Sequence, residues 1–216
     1  MTTPQTYWRA YAPTADGRPT LFLDRDGVLV EEVDYLGRVE DVRLLDGVGD
    51  LLEHARSKGF AVGVVTNQAG VGRGYYSWAD FEAVQAEIAR QIGAGDTPFD
   101  FIAASGCHPQ AVTPELRIEG HPWRKPNPGM LLHAAEVLDL DLSRSVMAGD
   151  HLTDMQAGAA AGVDTLVHLR TGHGRRLRPD VETFGIDRRD LLLAENLADL
   201  RKQIDWARLA RARLAG

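Results

Sequence analysis

The chain has a single cysteine, Cys107, among its 216 residues. No intrachain disulfide can form, and the composition fits a reducing compartment. It has no excess of positive charge: 24 Lys and Arg against 31 Asp and Glu leave a net charge of −7. That balance disfavours broad binding to nucleic acid or to an anionic membrane. No apolar run is long enough to span a bilayer, and residues 1–19 lack the apolar stretch of a signal peptide, so a cytoplasmic location is expected. Internal repeats and low-complexity tracts are also missing. What remains is 44% hydrophobic content, enough for one sizeable core and at most a small appendage.

The apolar residues form short runs that stop at polar ones. Residues 21–27 read Leu-Phe-Leu-Asp-Arg-Asp-Gly. Along an extended strand Asp24 and Asp26 share a face, roughly 6–7 Å apart, with Arg25 on the other. Two acids beyond the carboxyl end of a buried strand are placed to divide nucleophilic and proton-transfer work, or else are solvated turn residues. Residues 61–68 run Ala-Val-Gly-Val-Val-Thr-Asn-Gln, a second strand ending in a hydroxyl and two amides. Residues 124–130 put Lys125 just before a helix, with Asn127 as its expected N-cap and Pro128 at its first position. Residues 145–154 give a third strand ending at Asp150, with Asp154 four residues later. The helices between these runs show apolar spacing over 46–58, 78–92, 128–138 and 153–161, with Ser77 as a cap and Gly59 as a stop. Further strands are expected at 99–104 and 163–168. This succession predicts the α/β class, a single doubly wound parallel sheet.

Acid pair, hydroxyl, lysine, acid pair, each after an apolar strand, is the motif order of the haloacid dehalogenase-like phosphatases, which residues 20–172 resemble. The resemblance implies a Rossmann-like core flanked by an N-terminal extension (1–19) and a C-terminal extension packing on it (173–216). It also implies Mg²⁺-dependent phosphomonoester hydrolysis through an aspartyl-phosphate. Asp24 would be the nucleophile and Asp26 the general acid and base. Thr66 would hydrogen-bond the transferred group and Lys125 would balance its charge. Asp24, the backbone carbonyl of Asp26, and Asp150 would hold Mg²⁺, an ion suited to all-oxygen sites. Asp154 would orient the metal's waters or Lys125. The segments between Asp26 and Thr66 and between Thr66 and Lys125 leave no room for a separate cap domain, so loops 28–40, 69–76 and 105–124 should set specificity.

Asp-Arg-Asp-Gly at 24–27, Thr-Asn-Gln-Ala-Gly-Val-Gly-Arg-Gly at 66–74, Arg-Lys-Pro at 124–126 and Arg-Thr-Gly at 170–172 are similar to the heptose 1,7-bisphosphate 7-phosphatase and histidinol-phosphatase group. By position, Arg25, Glu32, Tyr35, Asn67, Gln68, Arg124 and His151 would line the substrate site. Arg124 would recognise a second phosphate, because a guanidinium binds one bidentately. Arg25 and Arg73 are further candidate cations. That group carries structural zinc in the loop before Arg-Lys-Pro. Here the corresponding positions are Ser105, Cys107, His121 and Trp123, and even with His108 this is not a clear tetrahedral set, so no zinc is expected. Val30 also departs from the group, where a polar residue is usual. The implied partner is a small phosphorylated metabolite, acted on by a monomer or weak homodimer. Histidinol phosphate or a polynucleotide 3′-phosphate is the alternative substrate. In the last segment Arg175, Arg176 and Arg178 read as a solvated basic run, and Leu197, Leu200 and Ile204 as an amphipathic helix with Trp206 in the core.

Overall fold

The structure, a computed structural model, describes residues 3–12, 17–93, 98–184 and 191–211. Seven strands form one sheet: β1 (Thr6–Ala10), β2 (Thr20–Leu23), β3 (Ala61–Asn67), β4 (Phe101–Ser105), β5 (Val146–Gly149), β6 (Thr165–Leu169) and β7 (Leu191–Ala194). Their order is β1-β4-β3-β2-β5-β6-β7; β1 is antiparallel to β4 and every other pairing is parallel. The α/β doubly wound expectation therefore holds, with one antiparallel strand added at an edge.

Strand alternation sends successive apolar residues into two cores. Leu21, Leu23, Val62 and Val64 pack on one face with α1 (Val48–Ser57) and α3 (Trp78–Ile92). Phe22, Val65, Phe101 and Met147 pack on the other with α4 (Gly129–Leu138) and α5 (Leu152–Ala161). Local signals start and stop these helices as expected. Ser77 and Asp80 form a reciprocal capping box on α3, and Gly59, just past α1, takes a φ of +83°. Helix α4 differs from expectation. It begins at Gly129 with Pro128 in the cap position, and the Asn127 side chain donates to the carbonyls of Gly120 and His121 instead of capping the helix. The loop that precedes Lys125 recruits that amide.

The flanking segments belong to the sheet as well. Residues 6–10 supply β1, and the C-terminal segment supplies α6 (Gly174–Thr183), β7, α7 (Leu197–Gln203) and α8 (Trp206–Ala210). Trp206 is buried against Phe60 and His54, as expected of a core residue, although it opens its own short helix. Arg178 is not solvated. It is 5% exposed and donates to His168 Nδ1 and to the carbonyls of His168 and Ala194. Between β2 and β3 the chain holds a loop and α1. Between β3 and α4 it holds the single turn α2 (Ala69–Gly72), α3, β4 and a loop, so no separate cap forms among the described residues. No described helix is long and apolar enough to cross a membrane.

Phe101 lies over Gly63, where an added Cβ would overlap the ring. Gly63→Ala should therefore cost about 1–3 kcal/mol by overpacking. Urea unfolding should show a lower midpoint with an unchanged slope.

Candidate active site

The carboxyl ends of β2, β3 and β5, three adjacent central strands, open on a cleft of about 320 Å³. Asp24, Arg25, Asp26, Glu32, Tyr35, Thr66, Asn67, Gln68, Arg124, Lys125, Asp150 and His151 all line it. Asp154, buried beneath, completes the set expected from the sequence.

Strand β2 ends at Leu23, so a loop and not strand alternation places the acid pair. The Asp24 N–H donates to Ala148 O at 3.0 Å, extending the contact with β5. The chain then turns through Gly27 at φ +75°, where any Cβ would overlap the Asp150 carboxylate. Arg25 is the main departure from expectation. Its side chain does not point away from the acids. It is fully buried and holds Asp26 through Nε and Nη2 at 2.9–3.1 Å, with the guanidinium 5.3 Å from the centre of the Phe81 ring. A buried guanidinium needs an anion, and Asp26 is the nearest one.

Lys125 is the centre of the charge arrangement. Its Nζ lies 3.0 Å from Asp24 Oδ2 and 2.6 Å from Asp154 Oδ1, and it donates to Val65 O at 2.8 Å. Burial opposes its charge, but Asp154 and Asp24 outweigh that, so its pKa is raised. Asn67 grips the same residue by its backbone, accepting from Lys125 N and donating to Lys125 O, both at 3.0 Å. Both polar groups of that amide are therefore engaged by the protein itself. Gln68 is likewise nearly buried and donates to Asp26 Oδ2 at 3.0 Å and Thr66 Oγ1 at 2.9 Å.

Asp154 sits at the third position of α5, where its Oδ2 accepts from the His151 N–H at 2.9 Å, while His151 Nδ1 accepts from Thr153 N. It is both a helix-capping acid and a partner of Lys125. Asp150 has a different environment. Burial pushes its pKa up to about 9, and Asp154 and Asp24 add to the rise. It accepts from the His173 N–H at 2.7 Å but has no cationic side-chain partner among the described residues. Glu32 is raised to about 7, by burial first and then by Asp26 and Asp24. Oxygen atoms of Asp24, Asp150 and Asp154 lie within 4.8 Å of one another, the only such group of metal-binding side chains among the described residues. A divalent cation fits this set, because all the donors are oxygens and the Asp150 charge is otherwise uncompensated.

The rim carries the opposite charge. Arg124 donates to Cys107 O at 2.9 Å, and Arg73 donates to Gln110 while its guanidinium lies 5.6 Å from the centre of the Tyr35 ring. Neither has a carboxylate partner among the described residues. Burial, and Arg73 nearby, lower the Arg124 pKa. The remaining loop residues are engaged separately. Cys107 Sγ faces Gln5 O, His121 Nδ1 accepts from Trp123 N, and Trp123 packs on His133 and Trp8. Val30, the apolar departure, lies in the core.

Three contributors escaped the sequence reading. Tyr76 bonds to Gln68, His173 binds Asp150 by its backbone, and His168 Nε2 reaches Asp150 O at 3.0 Å with Arg178 behind it. Only His173, next to Arg-Thr-Gly at 170–172, had a signal that could have found it.

Removing the Lys125 charge strands a fully buried Asp154. Lys125→Met should cost about 3–5 kcal/mol, and the double change Lys125→Met/Asp154→Leu should recover much of it. Denaturant unfolding of both variants measures the difference.

Comparison with known proteins identifies the family. Residues 5–162 match the haloacid dehalogenase-like hydrolase family. The chain is 38% identical over 186 residues to D-glycero-beta-D-manno-heptose-1,7-bisphosphate 7-phosphatase of Escherichia coli strain K12, covering 86% of this chain and 93% of that one. It is 41% identical over 145 residues to the D-glycero-alpha-D-manno-heptose-1,7-bisphosphate 7-phosphatase of Burkholderia mallei, covering 67% and 76%. The crystal structure of D,D-heptose 1,7-bisphosphate phosphatase from B. bronchiseptica, complexed with magnesium and phosphate, superposes with a TM-score of 0.73 at 27% identity, covering 86% and 97%. Motifs, site geometry and relatives converge, and the chain belongs to the haloacid dehalogenase-like hydrolase family.

Proposed function

We propose that the chain is a Mg²⁺-dependent phosphatase that removes the 7-phosphate of D-glycero-D-manno-heptose 1,7-bisphosphate. The observation that carries this reading is Lys125 Nζ set 3.0 Å from Asp24 Oδ2 in a cleft that Arg124 also lines. An attacking carboxylate, a charge-balancing ammonium and a second cation within one cleft suit a sugar with two phosphates. The similarity to heptose bisphosphate phosphatases supports the sugar.

Asp24 attacks phosphorus, the bond from phosphorus to the sugar oxygen breaks, and Asp26 protonates the departing alkoxide. Water then cleaves the aspartyl-phosphate, with Asp26 taking its proton. Lys125 and the Thr66 hydroxyl stabilise the charge on the transferred group. Mg²⁺, held by Asp24, Asp150 and the backbone carbonyl of Asp26, supplies further charge neutralisation when bound. Asp154 holds Lys125 in place. Arg124, with Arg73 beside it, receives the phosphate that is not cleaved. The Cys107 thiol, buried and unpaired, is in keeping with a cytoplasmic site of action. A single copy carries every group that this scheme uses, which suits a monomer or a weak homodimer.

Phosphate release from the alpha and beta heptose bisphosphates and from histidinol phosphate, with and without Mg²⁺, tests the assignment directly. Asp24→Asn should lower turnover by about 10⁴-fold or more while the fold survives. Asp26→Asn should cost about 10²–10⁴-fold on the sugar phosphate but far less on p-nitrophenyl phosphate, whose leaving group needs little protonation. Equal loss on both would remove Asp26 from proton transfer.

Arg124→Ala separates the substrate classes. It should raise KM for the bisphosphate by about 10–150-fold and leave the monophosphate nearly unchanged, whereas Lys125→Ala should lower turnover on both. Equal weakening by Arg124→Ala would favour a monophosphate such as histidinol phosphate.

A further inference from the structure

Tyr76 is a partly buried polar side chain at the cleft that the mechanism above leaves unused. It lines the same cavity, and its ring fills space that only glycine leaves open, since a Cβ at Gly37 or Gly70 would overlap it. The ring is therefore fixed from two sides, and its hydroxyl sits 2.5 Å from Gln68 Oε1.

We propose that Tyr76 is a positioning residue whose hydroxyl, acting through Gln68, orders the hydrogen bonds of Asp26 and Thr66. The reasoning is one of donors and acceptors. Arg25 and Gln68 both approach Asp26 as donors, Arg25 at Oδ1 and Oδ2 and the Gln68 NH₂ at Oδ2. The same NH₂ then donates to Thr66 Oγ1 at 2.9 Å. Gln68 Oε1 is left needing a donor in a residue that is 1% exposed, and the Tyr76 hydroxyl supplies it. Because Thr66 accepts from Gln68, its own hydroxyl hydrogen is released to another acceptor, the oxygen of the transferred phosphoryl group. Burial pushes the Tyr76 hydroxyl up to about 12, so it remains a donor throughout the range of an enzyme assay.

Tyr76→Phe keeps the ring and removes only the donor. The inference rests on the roles given above to Asp26 and Thr66, so wild-type Mg²⁺-dependent phosphate release from the heptose bisphosphate, whose leaving group needs the Asp26 proton, is measured first and the variants are compared on that substrate. Tyr76→Phe should lower kcat by about 3- to 10-fold, with KM held within about twofold and the melting temperature nearly unchanged. Gln68→Met, close in length but without donors, should lower kcat at least as far. Adding Tyr76→Phe to it should cause no further loss, because the two residues act in series. An unchanged kcat, a loss confined to KM, or independent losses in the double variant would each overturn the inference while leaving the phosphatase reading intact. A wild type without Mg²⁺-dependent phosphatase activity would overturn both.

Discussion

A buried ammonium between two carboxylates is the constraint on which the site depends. Lys125 is 2% exposed, and a charge in that position is tolerable only if Asp24, Asp154 and Val65 O all reach it. Those three partners come from the ends of β2, α5 and β3, so their registers must agree within the tolerance of a hydrogen bond. Asn67 holds the Lys125 backbone, the Ala148 carbonyl holds Asp24, and the His151 N–H holds Asp154.

The cleft also separates charge by depth. Its floor carries Asp24, Asp26 and Asp150 with Glu32 beside them, Arg124 lines its rim, and Arg73 lies over the ring of Tyr35, which also lines it; neither arginine has a carboxylate partner among the described residues. A chain with net charge −7 has no general attraction for anions. In the proposed reaction the two arginines would receive the phosphorylated substrate and the floor would draw a cation. Burial strengthens both effects by lowering the local dielectric.

Much of this was legible before the structure, and the misses share a cause. Asp24, Thr66 and Asp150 could be read because each stands at the end of an uninterrupted apolar strand, a pattern that fixes both the strand and the end at which it stops, and Lys125 because it stands just before a helix start. Strand β1 could not, since Thr6–Ala10 sits at an edge with half-exposed residues and no clean alternation. Helix α6 carries Pro179 and a run of arginines, which hides its apolar face. Arg25, Arg178 and Asn127 were misread because a side chain's partner is set by what the tertiary fold places nearby. A guanidinium beside an orphan carboxylate or free carbonyls is buried as readily as one on a surface is solvated. Tyr76 gave no signal, because its role depends on two glycines distant from one another in sequence that open a gap for its ring.

The tie between Asp150 and β7 makes the site depend on a strand that does not line it. Asp150 O meets His168, His168 meets Arg178, and Arg178 donates to Ala194 O on the edge strand β7. Asp150 thus rests on an arm that ends at an edge strand, far in sequence from the acids around it. Loosening β7 would loosen the carboxylate most in need of a cation, with no contact inside the cleft disturbed.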